Sequence, residues 1–565
     1  DGLTLKVSVG ADMSNASREV YEPKETYRGY NANGIAEQQS RRSSSYSNEN
    51  VLTYIKKIGQ HSLNVMVGSS LLYEENKTGS MTARDFISDV YGYNNLDAGA
   101  QWDKPNTGRS KSTLLSGFGR INYVLMDKYL FTVTGRADGS SKFGANNKWA
   151  FFPSFAAAWR INQEKFMKNI DWISNLKIRG SWGVTGNQNI PAYSSPEKMN
   201  TYTYPIGGVT SVGIGAGNMP NPDLKWETTA ITDIGIDLGV FNNRINFTAD
   251  YYYKKTTDLL WNISVPLTTG FGTVLKNIGS LQNKGLELSL SADVLTGPFK
   301  WNTMLNWSTN KNKVLEIPGY IPTQQGTISG HLKVNGSWLE PGLPVGVWNL
   351  LKTNGVMRTE KEWQDAARVA DSNFDKIGDM SFVDKNGDGK ISFGEDRQIV
   401  GDPNPDFIFG WTNNFSYKNF DLSVYINGSV GNDIYNVLRA ETNIVSAWGN
   451  QRAEVKDRWT VNNPNGKYPR AHVLVNQNLL QSDYLIEDGS FLRIQNVTLG
   501  YTFPKVSFLR SLRIYATAQN LLTITGYSGY NPEVNSQGQS NLQLGVDYNA
   551  YPTARSFILG VNIGF

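Results

Sequence analysis

The chain has 565 residues and a formal net charge of +4 at pH 7, with three histidines and no cysteine. The lack of cysteine excludes disulfides, thiolate metal sites and cysteine nucleophiles, and the dispersed charge lacks the basic tract that is typical of nucleic-acid binding. Aromatic residues make up 12% of the chain and glycines number 55, which favours β structure. No apolar run approaches the roughly 18 residues of a membrane-spanning helix, but a membrane-spanning strand escapes that test because its apolar residues alternate with polar ones.

Apolar residues alternate with small, polar or acidic residues in segments along the chain. In residues 285–294, Leu288 and Leu290 face one way, while Glu287 and Ser289 face the other. The same alternation occurs in residues 234–240, 244–253 and 557–565. A soluble sandwich would bury the acidic row or expose the apolar row, whereas a lipid-facing exterior around a wet lumen accommodates both. The sequence therefore predicts an all-β fold, a transmembrane antiparallel up-and-down β-barrel in the outer membrane.

The connections between about sixteen such strands alternate between short turns and long loops, as membrane barrels require. The short turns are residues 124–129, 240–245, 295–300 and 416–421. The long connections are residues 74–110, 187–224, 311–401 and 431–488, with a medium link at 162–174. Short turns mark the periplasmic rim and long loops the cell exterior. We therefore expect one barrel domain over residues 1–565, with a long extracellular loop at 311–403.

Two of the long connections carry local signals. The run "GIGAG" at residues 213–217 has the glycine content of a nucleotide-binding loop but no strand-turn-helix context, so it predicts a flexible surface loop. In the longest connection, Thr359 and Glu362 have capping-box spacing ahead of "WQDAARVA". This predicts a short helix that ends well before Asp384.

Residues 384–395, "DKNGDGKISFGE", have the spacing of an EF-hand calcium loop, with a glycine at the sixth position. The predicted Ca²⁺ ligands are Asp384, Asn386, Asp388, the Lys390 carbonyl, Ser392 and Glu395. Flanking helices are not expected, because Gly378 precedes the segment and Pro403 follows it. The connection has too little apolar content to order itself, so a structural Ca²⁺ would fix the turn. The other interpretation is an Asp-Gly turn without metal.

The sequence offers little for catalysis. His61, His331 and His472 lie singly on different segments, so each is interpreted as an ordinary polar or packing residue. The oxygen-rich segment at 384–395 suits a hard cation and lacks a nearby histidine or a paired-carboxylate arrangement. The chain is therefore predicted not to be an enzyme.

Several blocks of the sequence closely resemble one family, the SusC/RagA-like TonB-linked outer-membrane transporters. They occur in family order and span nearly the whole chain. The blocks are "RADGSSKFGANNKWAFFPSFAAAWRI" at 136–161, "SWGVTGNQ" at 181–188, "NPDLKWE" at 221–227, "NIGSLQNKGLELSL" at 277–290, "DKNGDGKI" at 384–391, "GDPNPDF" at 401–407, "SFLRIQNVTLGYTFP" at 490–504 and "LRIYATAQNLLTITGYSGYNPE" at 512–533.

The resemblance implies a barrel of about 22 strands around a plug, preceded by a signal peptide, a carboxypeptidase-like domain and a TonB-contacting segment. None of these N-terminal parts is present in this sequence, which looks like the last sixteen or so strands. Because lipid does not tolerate unpaired strand edges, we expect another chain to supply the missing part, or the part to have been separated from this chain.

The activity implied by the resemblance is TonB-dependent import of a large nutrient, an oligosaccharide or a peptide, beneath a SusD-like lipoprotein lid. The alternative is a non-transporting barrel, either a surface adhesin or a scaffold in a larger outer-membrane complex. Substrate-binding residues are not predicted. The tryptophans in or near the long connections could stack on sugars or serve in loop packing or an interfacial belt. They are Trp261, Trp338, Trp348 and Trp448.

Overall fold

The computed structural model describes residues 2–317, 323–324, 327–328, 334–444, 450–504, 508–536, 538, 540 and 542–565. The chain divides into two compact units. Unit 1 comprises Asp1–Gln163, Arg179–Thr232 and Thr256–Gly279. Unit 2 comprises Glu164–Ile178, Asp233–Lys255 and Ser280–Phe565. Within these described ranges, no helix combines the length and apolar character needed to cross a membrane.

Unit 1 is built from long antiparallel strands joined to their chain neighbours. They are Leu3–Glu22, Ile35–Ile58, His61–Phe86, Gly99–Trp102, Asn106–Leu125, Tyr129–Ser140 and Trp149–Arg160. Two hairpins accompany them, Met199–Ile206 with Val209–Ala216 and Leu260–Ser264 with Thr273–Asn277. The helical segments are short and comprise Tyr27–Asn31, Gly92–Asn94, Leu96–Ala98, Ile161–Gln163 and Leu267–Thr269.

The strands around the predicted loop at 74–110 are longer than the sequence indicates. His61–Phe86 and Asn106–Leu125 pair residue for residue from His61 and Leu125 up to Ser80 and Asn106. The prediction was wrong for residues 74–86 and 106–110, which continue the strands. Backbone pairing continues through these residues, but the apolar alternation stops. A strand without an apolar face lacks the pattern by which strands are recognised in a sequence.

The run at residues 213–217 is not a flexible loop, which corrects the prediction. Gly213 and Gly215 lie in the strand Val209–Ala216, which pairs with Met199–Ile206. A Cβ atom on Gly213 would lie 2.7 Å from the Tyr204 ring, and one on Gly215 would lie 3.0 Å from the Tyr202 ring. The glycines therefore leave room for the Tyr202 and Tyr204 rings, which extend from Met199–Ile206 over Val209–Ala216.

Three strands have residues in both units: Ile173–Asn187, Glu227–Val240 and Ile245–Thr257. The long strands of unit 2 are Ser280–Thr296, Phe299–Ser308, Lys311–Glu316, Phe407–Tyr417, Phe420–Val430, Phe491–Phe503, Ser511–Thr525 and Ser556–Gly564. Lys311–Glu316 pairs with Ser280–Lys284, so the first residues of the long connection that the sequence begins at Lys311 form a strand.

Short elements fill the long connections of unit 2. The strands are Thr323–Gln324, Thr327–Ile328, Val334–Asn335, Ser337–Leu339, Val347–Leu350, Thr353–Val356, Arg368–Val369, Met380–Phe382, Lys390–Ile391, Gln398–Gly401, Asp433–Asn436, Ile486–Asp488 and Val546–Asp547. The helical segments are Lys165–Met167, Glu360–Asp365, Ser372–Phe374, Val437–Asn443, Ala453–Asp457, Gln477–Leu480 and Asp483–Leu485. The predicted helix is confirmed as Glu360–Asp365, with Thr359 and Glu362 forming the capping box.

The strand faces of unit 2 separate as the alternation predicts. Leu290 pairs with Leu305, which pairs with Trp411, so one face carries a continuous apolar row. Ser289 pairs with Asn306 on the opposite face. Directly paired residues share a face of the sheet, so cross-strand pairing extends the alternation from single strands to a whole wall.

Candidate functional site

The two longest connections of unit 2 share one hydrophobic core, in which every member is at most 6% exposed. Its buried residues are Trp348, Leu350, Leu351, Val356, Val369, Met380, Phe382, Ile391, Tyr435, Val437, Ala440, Ile444, Leu479, Leu480, Leu485 and Val546. The expectation that residues 311–401 are too polar to order themselves is therefore wrong. Residues 311–401 supply eight members of this core, residues 431–488 supply seven, and Val546 comes from the connection after Thr525. Residues from distant connections thus bury one another in a single cluster.

A buried carboxylate links the same two connections. Asp379 is 0% exposed, and its Oδ1 accepts hydrogen bonds from Arg470 Nε at 2.8 Å and lies 2.6 Å from His472 Nε2. The His472 ring packs against the Phe374 ring with 4.6 Å between centroids. His472 thus serves packing and hydrogen bonding, and His61 contacts the Tyr123 hydroxyl at 2.7 Å. His331 lies outside the described residues.

The predicted calcium turn is held by its own backbone amides. Asp384 Oδ1 accepts from the Gly387 N–H at 2.6 Å, and Asp384 Oδ2 accepts from the Gly389 N–H at 2.8 Å. Gly389, at the sixth position, has φ +80°, a conformation that favours glycine. The N–H groups of Gly389 and then Gly387 hold the pKa of the Asp384 carboxyl below its ordinary value, despite some desolvation that opposes them.

The other predicted ligands cap the same turn. Asn386 Oδ1 accepts from the Asp388 N–H at 3.0 Å, and Asp388 Oδ1 accepts from the Lys390 N–H at 2.8 Å. Ser392 Oγ accepts from the Glu395 N–H at 3.2 Å and donates to Glu395 Oε2 at 3.4 Å. The Asp384, Asn386, Asp388 and Ser392 side chains therefore accept from backbone N–H groups of one turn, and Glu395 accepts from the Ser392 hydroxyl.

Asp396, which follows the predicted ligands, is the residue that sequence reasoning missed. It is 0% exposed, its Oδ1 accepts from the Lys385 N–H at 3.0 Å, and its Oδ2 accepts from the Ser392 N–H at 2.7 Å. Ile391 is also buried and pairs with Val369 in a short parallel ladder. Asp396 thus closes the turn on itself, and Ile391 fastens the turn to the hydrophobic core.

The donor chemistry of the turn suits a hard cation, but the side chains do not surround one. Carboxylate, amide, hydroxyl and carbonyl oxygens are the ligands that Ca²⁺ prefers. Across the part of the chain that the structure describes, no three histidine, cysteine or acidic side chains lie close enough together to hold a metal. Ca²⁺ ligation by this turn therefore stays a prediction, and so does the metal-free turn.

Two of the four tryptophans are buried in the loops. Trp348 is 1% exposed and lies 5.4 Å from the Tyr435 ring, and Trp338 is 6% exposed beneath the Arg397 guanidinium. Both positions agree with loop packing and leave no ring face open for a sugar. Trp261 lies half-buried in a two-stranded hairpin. Trp448 lies outside the described residues.

A cavity of about 800 Å³ lies against the polar strand face of unit 2. Its lining includes Glu287, Asn306, Tyr425, Asn427, Phe491 and Asn535. Asn427 Oδ1 and Asn535 Oδ1 are buried acceptors with no hydrogen-bond partner among the described residues. A ligand that reaches these oxygens needs N–H or O–H donors, and the Glu287 carboxylate adds to that preference. Sequence reasoning missed this cavity because its residues come from strands and loops that are distant in the chain.

Residues 2–389 match the family described as "TonB dependent receptor-like, beta-barrel". The chain belongs to this family. It is an outer-membrane β-barrel protein, as the alternation of its strands predicts, and the family consists of receptors and not enzymes. The resemblance drawn from the sequence blocks is thereby confirmed.

Curated relatives place this barrel among TonB-dependent receptors. TonB-dependent receptor P3 of Formosa agariphila is 36% identical over 576 residues, which cover 100% of this chain and 57% of the relative. TonB-dependent receptor SusC of Bacteroides thetaiotaomicron is 33% identical over 546 residues, covering 91% of this chain and 49% of the relative. The chain thus spans about half the length of the curated relatives it matches.

A solved structure shares the fold. The barrel chain matches one titled "Structure of the RagAB peptide transporter" with a TM-score of 0.83 and 24% identity, covering 100% of this chain and 60% of that chain. At this identity the likeness concerns the backbone arrangement, so the all-β barrel prediction is confirmed and the cargo is left open.

Proposed function

We propose that this receptor barrel takes part in active import of a large nutrient, an oligosaccharide or a peptide, across the outer membrane. The cavity of unit 2 carries the proposal, because Glu287, Asn306 and Asn427 line it with hydrogen-bond acceptors. Oligosaccharide hydroxyls and peptide N–H groups are both donors that would satisfy them. Tyr425 and Phe491 add aromatic surface of the kind that packs against sugar rings or peptide side chains.

The proposal includes two partners. We expect the TonB complex to supply energy through a segment in the part of the relatives that this chain does not span. A SusD-like lipoprotein would cover the extracellular loops. The shared hydrophobic core orders these loops, so they can form a defined contact surface for the lipoprotein. Membership of a TonB-dependent receptor family and 33% identity to SusC support both partners.

Uptake measurements test this function. Cells that carry the full-length gene are supplied with labelled oligosaccharide or peptide mixtures, and uptake is compared with and without TonB. We expect TonB-dependent accumulation, and a lipoprotein that copurifies in mild detergent. If uptake is unchanged when either the receptor or TonB is lost, import is contradicted. Binding of the solute to the cell surface under those conditions would favour an adhesin or scaffold.

We further propose that the turn at residues 384–395 binds Ca²⁺ as a local structural ion. Asp384, Asn386, Asp388, the Lys390 carbonyl, Ser392 and Glu395 would supply the oxygens, and the side chains would exchange their hydrogen bonds within the turn for the ion. Because the hydrophobic core already orders the surrounding connections, the ion would stiffen the turn without being needed for folding.

A further inference from the structure

The outward face of the long strands in unit 1 changes character along its length. Leu52 pairs with Val67 in a largely apolar region, in which Asn50 donates a hydrogen bond to Asn48 at 2.7 Å. Nearer the long connections Tyr46 pairs with Tyr73, with 6.3 Å between ring centroids. From Leu63 to Tyr73 is ten residues, which at about 3.4 Å per residue and a tilt of about 40° span roughly 26 Å. This matches the apolar band of an outer-membrane barrel of about 25 Å, so the bilayer surface lies near the Tyr46–Tyr73 pair.

Cations follow immediately on the same face. Arg42 pairs directly with Lys77, and Lys77 pairs directly with Arg109. Lys111, two residues along the strand from Arg109, pairs with Glu75. We refer to Arg42, Lys77, Arg109 and Lys111 as the cationic row; all four are exposed.

The row is unfavourable as an isolated sheet surface. Like charges directly opposite one another on neighbouring strands destabilise the sheet. Glu75 accepts a hydrogen bond from Arg109 Nε and lies 3.7 Å from Lys77 Nζ, so one carboxylate faces four cations. Half of the Lys77 side chain and more than half of the Arg109 side chain stay exposed. The uncompensated charge therefore points outward, at the height of the lipid headgroups.

The tight turn between Ile58 and His61 identifies the leaflet. That turn closes the end of the strands remote from the cationic row, while the long connections of unit 1 lie at the row's own end. Short turns of these barrels face the periplasm, so the row lies at the outer leaflet.

We propose that the cationic row binds the phosphate groups of an outer-leaflet glycolipid, whose acyl chains lie along the apolar face beneath. Charge complementarity selects a phosphorylated headgroup, and continuity with the apolar face selects a lipid over a soluble anion. Lys77, in the middle of the row, has a cation on the paired position of each neighbouring strand, so a phosphate there would contact three strands.

The test measures the glycolipid retained by the full-length receptor after detergent extraction from its own membranes. The triple variant Arg42→Gln, Lys77→Gln and Arg109→Gln should retain on the order of 100-fold less phosphorylated glycolipid at low salt, given a few-fold per cation near a charged surface. The matched control is Lys6→Gln, Arg18→Gln and Arg41→Gln, which removes three cations from the opposite strand face. Its retention should equal that of the unmodified receptor.

Two further measurements keep the outcome decisive. Glu75→Gln removes the competing carboxylate and should raise retention. Because misfolding would lower retention, an increase in this variant tests the proposal even if the triple variant misfolds. Enzymatically dephosphorylated glycolipid should bind the unmodified receptor as weakly as intact glycolipid binds the triple variant. Equal retention in the triple variant and its control, undiminished binding of dephosphorylated lipid, full displacement by millimolar inorganic phosphate, or recovery of an acidic protein in place of lipid would each overturn the proposal.

Discussion

Asp396 Oδ1 accepts a hydrogen bond from the backbone N–H of Lys385 at 3.0 Å, although the two residues lie 11 positions apart. With its other oxygen, Asp396 accepts from the Ser392 N–H, so one buried carboxylate closes both ends of the proposed calcium turn. A metal ion and Asp396 would therefore support the same turn by independent means, which makes the two contributions separable by mutation.

Replacing Asp396 with alanine should loosen the turn whether or not calcium is present. The substitution leaves two backbone donors without their acceptor, at a cost of about 1 to 3 kcal/mol for each one that stays buried. Limited proteolysis of the full-length receptor, in calcium and in chelator, checks this by the rate of cleavage within residues 384–395. Asp365→Ala removes an exposed carboxylate from the same connection and should leave that rate unchanged. If Asp396→Ala is cleaved faster than the unmodified receptor only in chelator, Asp396 does not support the turn independently of calcium.

The double variant Asp384→Ala with Glu395→Gln should instead abolish calcium binding at this turn. For a dissociation constant of about 0.1 mM and roughly 1 mM free calcium, the ion contributes near 1.4 kcal/mol, enough to stiffen a turn but not to fold a barrel. Calcium content per receptor, measured by elemental analysis after gel filtration in calcium, should fall by one ion. The barrel should still migrate as a heat-resistant folded species in gel electrophoresis. Unchanged metal content would leave the Asp-Gly turn without metal as the correct interpretation.

The turn should also respond to acid in chelator. Backbone N–H groups lower the pKa of Asp384 in the folded turn, so its ionised form contributes stability above the unfolded pKa of about 3.9. That contribution is lost as the pH falls through the lowered folded value, so the change belongs below about pH 4. Cleavage of residues 384–395 by an acid protease should rise as the pH falls through this window. Asp384→Asn should be cleaved readily throughout, and a pH response that survives this substitution would assign the effect to another group.

The two faces of Ser280–Thr296 should differ in their tolerance of charge. Leu288 pairs with Trp307 and Ser289 pairs with Asn306, which places the two adjacent residues on opposite faces. Leu288→Arg should cost about 2 to 4 kcal/mol if it faces the lipid midplane, and Ser289→Arg should cost much less on the wet side. The free energy of unfolding from lipid vesicles measures both. Equal costs would contradict the assignment of faces.

Strand identity and facing could be predicted where one face meets lipid, as at Leu288 and Leu290, because the membrane imposes a period of two on the sequence. The same logic failed beyond Glu74, where the strands leave the apolar band and pairing persists without alternation. The loop core was also invisible, since Val369 and Leu479 become neighbours in one cluster only after two distant connections fold together. Asp396 was missed for a related reason: its role depends on burial, which the spacing of oxygen-bearing residues does not reveal.

Asn427 offers the sharpest test of the solute site. Asn427 lines the cavity, and its Oδ1 is a buried acceptor without a partner among the described residues. A donor-bearing solute toward which this side chain turns should gain a hydrogen bond. Asn427→Leu removes the acceptor at similar size and should weaken solute affinity by about 1 to 1.5 kcal/mol, or roughly tenfold. Asn64→Leu is the matched control, because Asn64 Oδ1 is likewise buried and unpartnered within the described residues but lies in unit 1, outside this cavity. Concentration-dependent uptake by cells carrying the full-length receptor should show a raised half-saturation concentration for Asn427→Leu alone. Equal shifts in both variants would indicate a general effect on the barrel, and no shift in either would remove Asn427 from the solute path.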